Sequence, residues 1–399
     1  MNPLSGRGLV LAMSIGEIGT LLPNLAFAAL TPLFIAEWQI SNSQAGWIAG
    51  IAAFGYMASV PVLMSLTDRI DARRVFLAGA ALTALAHLGF AVSAHGFWTG
   101  FFWRGLSGIG LAGTYMPGLK ILTDRDLAAD KSRAVSFYTA TYSVGVSLSY
   151  LFTGLLTGAY GWHVGIGLLA LGPFVALLIA LLATGPKAPA PAAGHRLLNF
   201  RPVFANRRAL AYILAYAAHG FELTAVRAWL VAFLAYAALR AGVSGSHGAT
   251  AIAAVFSVIG LPANVLGNEL ALRYGRRGVL IVIMLVSAAL SAGLGFVAGL
   301  PYAVVVGLIL LYGVTLTADS GAITSGAVAA AAAEAQGATI AVHSSVGFAA
   351  AFLGPLAVGI ALDAGGGQGA PMAWTLAFLV MALGAALGPV ALWLLGRER

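Results

Sequence analysis

The chain has 399 residues, 60% of them hydrophobic and only 9% charged, with a mean hydropathy of +0.93 and a formal net charge of +8. Soluble domains average about 45–50% apolar and about 25% charged residues, so most of this chain must face lipid, and its length is better counted in spans of about 20 apolar residues. Cysteine is absent, which excludes disulfides and thiolate metal sites.

Apolar runs separated by polar or Gly/Pro punctuation predict twelve helices. The first, near 8–36, continues past Pro23 to Phe34 and is too long for a signal peptide, so it reads as a transmembrane helix. Along it Ser14, Glu17, Thr20, Asn24 and Thr31 fall within an arc of about 120°, a polar stripe on an apolar rod. Gly16, Gly19 and Pro23 beside the stripe are positioned to bend or loosen the helix. Further spans follow near 43–66, 74–94, 97–122, 133–158 and 162–184. Residues 185–208, Pro-rich and basic, form the one stretch resembling a hydrated linker. A second set of six is expected near 209–238, 245–272, 277–299, 301–326, 335–362 and 371–396. The expected organisation is therefore all-α and polytopic: an N-terminal six-helix bundle over 1–184, a cytoplasmic linker over 185–208 and a C-terminal six-helix bundle over 209–399.

The basic residues orient this chain. Of 21 Lys and Arg, Arg104, Lys120 and Arg227 lie inside spans and only Arg240 falls on the outer side, leaving seventeen for the loops and ends on one face. By the positive-inside rule both termini are cytoplasmic, as in a bacterial-type inner membrane. The same asymmetry accounts for the net charge by topology and contact with anionic lipid, and no nucleic-acid partner is expected.

The two halves echo each other. "LTDRIDARR" (66–74) follows the second helix and "LALRYGRR" (270–277) the eighth, while "YSVGVSLSYLFTGLLTG" (142–158) in the fifth parallels "HSSVGFAAAFLGPLAVG" (343–359) in the eleventh. Duplicated bundles around a midplane site are the architectural logic of secondary transporters. The chain resembles the major facilitator superfamily along its whole length. The family's loop signature Gly-x-Leu-Ala-Asp-Arg-x-Gly-Arg-Arg is approximated by "MSLTDRIDARR", where Leu66, Asp68, Arg69 and Arg73 match and Met64, Asp71 and Ala72 depart. In the second half Arg273, Gly275, Arg276 and Arg277 are kept, with Leu272 in place of the Asp. The fourth-helix signature of an Arg followed by spaced glycines is present as "RGLSGIGLAG" (104–113). The fifth-helix glycine pattern of antiporters is half present at Gly145, Gly154 and Gly158, with Ala159 in place of its Pro. A looser likeness points to cyanate- and nitrate-type permeases. The resemblance implies twelve transmembrane helices in two pseudo-symmetric six-helix bundles, and a link between Arg104 and proton coupling.

An ionisable group at the bilayer centre costs about 2.5–3.5 kcal/mol on insertion scales, so each one is a site hypothesis. Glu17 is the first. In "YAAHGFELTAVRAWLVAFLAY" (216–236), Glu222 and Arg227 are five residues apart and cannot form a local i, i+3 or i, i+4 pair. They and His219, which is more often a hydrogen-bonded bundle residue, must find partners across the bundle or in a wet cavity. Glu222 also stands within a residue or so of Glu17 under the repeat offset. Arg104 shares a face with Gly108 and Tyr115, the alternative role being helix packing. On the tenth helix Asp319 aligns with Tyr312 and Thr315, its alternative being an interhelix clamp. His343, with Ser344 and Ser345, is a weaker candidate. Lys120 is expected to snorkel to the cytoplasmic rim, and Glu269 to pair locally with Arg273. Asp68, Arg69, Arg73, Arg273 and Arg276 are expected to gate, with Asp68 near the N-terminus of the eleventh helix when the cytoplasmic side closes.

The expected function is secondary active transport of a small anionic or carboxylate-bearing solute by alternating access. Proton exchange would use Glu17, Glu222, Asp319 and Arg104. Substrate contacts would come from Arg227, Glu222, Asn24, Tyr115, Tyr312 and Trp229. Import is favoured over export, and the protein is expected to be a monomer with no cofactor and no metal. The alternatives are a proton-linked efflux pump for amphipathic compounds and a carrier-fold assembly factor. No Gly-x-x-x-x-Gly-Lys-Ser/Thr loop and no His-Glu-x-x-His pattern occurs, so neither direct ATP drive nor an enzyme is expected.

Overall fold

The structure, a computed structural model, describes residues 4–125, 131–187, 200–243, 247–332 and 335–396. The centre of the expected linker (188–199, with Arg196) and Arg397 and Arg399 lie outside the described residues. Among the described residues all regular structure is helical. In chain order the elements are α1 (Gly6–Leu21), α2 (Ala26–Ala29), α3 (Thr31–Trp38), α4 (Asn42–Leu66), α5 (Ala72–Ser93), α6 (Phe97–Asp124), α7 (Lys131–Leu169) and α8 (Leu171–Ala183). They continue as α9 (Arg201–Ala205), α10 (Arg207–Arg240), α11 (His247–Tyr274), α12 (Arg276–Leu294), α13 (Tyr302–Ala318), α14 (Ser320–Ala330), α15 (Gln336–Ala364) and α16 (Pro371–Leu395).

Nine stretches of the described residues are long and apolar enough to cross a membrane. One of them, 51 residues over Arg133–Ala183, would extend about 77 Å at 1.5 Å per residue, more than twice a hydrocarbon core of about 30 Å. It turns back at Gly161, whose φ of 78° and ψ of 165° fall where a residue with a Cβ would be strained. The fifth and sixth expected spans are thus joined by a single non-helical residue. The expected first span is instead interrupted, as α1, α2 and α3, and the tenth divides into α13 and α14 at Asp319.

The helices group into two compact units, Met1–Ala29 with Ile51–His195, and Leu30–Gly50 with Arg196–Arg399. In the first, Leu9, Met13, Phe76, Leu122 and Tyr138 anchor a core drawn from α1, α5, α6 and α7. The fourth-helix glycines have a packing role here: a Cβ on Gly113 would stand 2.8 Å from the Cα of Gly79, so α5 and α6 approach backbone to backbone. In the second unit Tyr212, Leu280, Met284, Ile323 and Leu392 form the corresponding core. Residues 30–50 join it through Asp363 of α15. Its carboxylate accepts from the Asn42 amide (3.0 Å) and side chain (2.8 Å) and from the Ser43 amide (2.8 Å) and hydroxyl (2.5 Å), filling the donors left open at the start of α4.

The repeated basic loops have a structural use that the family pattern did not assign. Arg73 donates from Nε to the Thr184 hydroxyl (3.0 Å) and from its terminal nitrogen to the Leu181 carbonyl (3.1 Å) at the end of α8. Arg277, 204 residues later, reaches the Leu392 (2.9 Å) and Trp393 (3.1 Å) carbonyls at the end of α16. Each satisfies the last carbonyls of a helix with a cation, the sign that the helix dipole favours there. Asp71, which stands where the signature has Gly, caps α5 by accepting from the Arg73 amide (3.0 Å), accepts from the Lys187 amide (2.8 Å) and lies 3.8 Å from Arg125. Lys120 spans Asp68 (3.8 Å) and Asp124 (3.3 Å) and so is tied into this charged end. Arg69 is exposed and Arg276 half-buried. The expected Glu269–Arg273 pair is not among the ion pairs of the described residues; both side chains are exposed, and the Arg273 guanidinium lies 5.2 Å from the Tyr274 ring centre.

Candidate functional site

In the first unit the site begins with a broken helix. Pro23 lacks an amide and crowds the turn before it, so α1 stops at Leu21 and the chain becomes helical again only at Ala26. The groups freed by the break are taken up by other helices: the Asn24 carbonyl accepts from Arg104 of α6 at 2.9 Å, and the Leu25 amide donates to Ser149 of α7 at 2.9 Å. Glu17 sits two turns before the break and is 0% exposed. Its Oε2 accepts from the Tyr138 hydroxyl of α7 at 2.9 Å and lies 3.5 Å from the Thr20 hydroxyl. The Tyr138 oxygen also stands 3.2 Å from the Tyr115 carbonyl, the two rings stack at 6.1 Å, and Tyr142 meets Tyr115 edge-on at 5.4 Å. Glu17 and Tyr115 are therefore linked through Tyr138, and Asn24 and Arg104 through the break. His87 of α5 faces Arg104 and the Pro23 carbonyl, with Nδ1 2.9 Å from the Thr83 carbonyl.

In the second unit α10 carries two buried polar contacts one turn apart. Glu222, 1% exposed, accepts at a single oxygen from Ser287 of α12 and Tyr312 of α13, each at 2.9 Å. His219 places Nδ1 2.8 Å from Oδ1 of Asp319, in the gap between α13 and α14, with the two side chains 3% and 2% exposed. Asn264 of α11 accepts from the Gly321 amide at 2.8 Å just beyond that gap. Tyr216 stacks on His343 of α15 at 3.9 Å and lies nearly parallel to His219 at 6.0 Å, while His343 Nε2 stands 3.5 Å from the Thr324 hydroxyl. Arg227 is half-buried and an electrostatic neighbour of His219.

Glu17 and Glu222 are 205 residues apart and each is held by hydroxyl donors alone among the hydrogen bonds described. Their donors differ: Tyr138 lies at the repeat position of His343, yet Tyr138 reaches the acid while His343 stacks on Tyr216. In the second unit the acid turns to Ser287 and Tyr312 instead. The structure thus gathers Glu222, Tyr312, His219, Asp319 and His343 into one neighbourhood. Trp229 lies outside it, its indole N–H donating to the Pro355 carbonyl at 2.9 Å and its side chain 1% exposed. Tyr138, Ser287, Ser149 and His87 were not singled out from sequence; of these, Tyr138 carried a signal, since it shares a repeat position with the candidate His343.

The Major Facilitator Superfamily model matches residues 11–355. The chain belongs to that superfamily. Its fold is that of membrane transporters, and it is an integral, multi-pass membrane protein. Over 190 residues it is 28% identical to Protein spinster homolog 1 of Xenopus laevis, covering 45% of this chain and 35% of that one. The match thus spans about a third of that relative. Two solved superfamily structures share the fold at 15% identity. One is a bacterial homolog to the human lysosomal transporter Spinster in an inward-facing and unoccupied conformation, with a TM-score of 0.79 over 97% of both chains. The other is the nucleoside transporter NupG, with a TM-score of 0.77 over 98% of this chain and 100% of that one.

Proposed function

We propose that this superfamily member moves a small anionic or carboxylate-bearing solute by alternating access, coupled to protons. The observation that carries the reading is the pair of buried acids, Glu17 and Glu222, one in each unit, at repeat-related positions and with no cation within ion-pair distance of either among the described residues. A carboxylate so placed is expensive to keep charged, and a carboxyl that gains and loses a proton as its surroundings change is a means of coupling. Asp319, paired with His219, takes part in the same exchange, and Arg104, which keeps its charge, is proposed to bias it electrostatically. Arg227, Glu222, Asn24, Tyr115, Tyr312 and Trp229 are proposed for solute contact, Trp229 by shaping the wall. Asp68, Arg69, Arg73, Arg273 and Arg276 are proposed for the gate. Arg73 would act there by holding α8.

The bundles over 1–184 and 209–399 would be the moving bodies, joined by the linker 185–208. Both termini are cytoplasmic, the membrane is a bacterial-type inner membrane, and the working form is a monomer that performs no catalysis and binds no nucleic acid. Counterflow of radiolabelled carboxylic acids in proteoliposomes tests the reading. Transport of at least one acid, reduced tenfold or more in both Glu17→Gln and Glu222→Gln when a pH gradient drives it, is the expected result; gradient-driven uptake unaltered in both variants would remove the coupling.

A further inference from the structure

Arg104 is a buried charge whose surroundings are incomplete. It is 7% exposed, yet among the described residues no carboxylate lies within ion-pair distance of it. One terminal nitrogen donates to the Asn24 carbonyl at 2.9 Å and Nε makes no hydrogen bond. Glu17, the acid on the neighbouring helix, is engaged by Tyr138 and Thr20. His87, an electrostatic neighbour of the guanidinium, is an imidazole that supplies no negative charge. A guanidinium has five N–H donors and stays charged, and a buried charge left without a counter-charge is strongly destabilising.

We propose that Arg104 seats the oxyanion group, a carboxylate or phosphate, of the transported solute, at the break between α1 and α2. This deepens the anionic-solute reading above and rests on it. The break is what makes the geometry possible. Pro23 opens the helix, the Asn24 carbonyl holds one arm of the guanidinium in a fixed orientation, and Ser149 secures the next amide. The remaining edge is a planar fork of donors suited to two oxygens of one anionic group. Seating the anion supplies the missing counter-charge and adds charge-assisted hydrogen bonds without moving the arm already held. The seat lies wholly within the first unit, so it does not depend on Arg227 in the second.

The test is thermal unfolding of the purified full chain in detergent, at constant ionic strength, with chloride replaced stepwise by acetate, lactate, benzoate, phosphate or sulfate. The unaltered protein is expected to show a saturable rise in midpoint with at least one of these, Arg104→Gln to lose it, and Arg104→Lys to need about tenfold more anion, since an ammonium keeps the charge and loses the fork. Arg104→Lys also keeps the proposal testable if Arg104→Gln does not fold. An equal response in the unaltered protein and both Arg104 variants overturns the seat. If only Arg227→Gln loses the response, the seat is overturned while the anionic reading stands. If no anion acts beyond chloride, both fall. Stabilisation by phosphatidylglycerol alone, with no soluble anion effective, would assign Arg104 to lipid and overturn the proposal.

Discussion

The His219–Asp319 pair gives the most demanding stability prediction. Its nitrogen and oxygen are 2.8 Å apart with both side chains at most 3% exposed, and for an imidazolium facing a carboxylate at an effective dielectric of about 20 the attraction at that distance is about 6 kcal/mol. Part of that only offsets desolvation of the two groups, whereas removing one partner leaves the other buried and uncompensated, which costs about 3–5 kcal/mol. His219→Gln and Asp319→Asn are therefore each expected to destabilise the protein by that amount, and the double variant by less than the sum, with a coupling of about 2 kcal/mol or more. Reversible unfolding in mixed detergent, followed through the eight tryptophans, measures all three. Single variants costing under about 1 kcal/mol, or strictly additive costs, would mean that the pair does not hold α10 to the gap between α13 and α14.

Other expectations follow from particular contacts. Tyr138→Phe removes the 2.9 Å donor to Glu17 and should cost about 1–3 kcal/mol, with Tyr312→Phe similar at Glu222, where Ser287 remains as a second donor; unfolding midpoints check both. Asp363→Ala removes the acceptor of four hydrogen bonds at the start of α4 and should lower stability by about 1–2 kcal/mol after allowance for its exposure. Because the chain has no cysteine, His95→Cys and Ile70→Cys can each be labelled without background. If the termini are cytoplasmic, a membrane-impermeant maleimide added to intact cells modifies position 95 and not position 70, and the reverse pattern would invert the topology.

The membrane class, the helical architecture and most spans were legible because burial in lipid leaves long apolar runs that composition alone exposes. The buried acids were legible for the complementary reason: one charge in such a run stands out. Their partners were not. Tyr138 is 121 residues from Glu17, and Ser287 and Tyr312 are 65 and 90 residues from Glu222; a hydroxyl in an apolar helix is too common to mark itself. The break in the first span was foreshadowed by Pro23, but its satisfaction by Arg104 and Ser149 requires knowing which helices meet it. Arg73 fits a family loop signature and was expected to gate, while its hydrogen bonds serve the end of α8. Asp363 was passed over because it lies at a helix end, where a charge is ordinary by sequence and only the facing start of α4 gives it a role.

Proton movement with solute is the central claim, and it can be observed directly. Liposomes containing the protein and a trapped pH-sensitive dye, given an inward gradient of an anion that stabilises the protein, should acidify when the solute enters under proton symport. That acidification is expected to be absent in Glu17→Gln and Glu222→Gln. Solute entry with no change in internal pH, or acidification identical in both variants, would contradict proton coupling through these two acids.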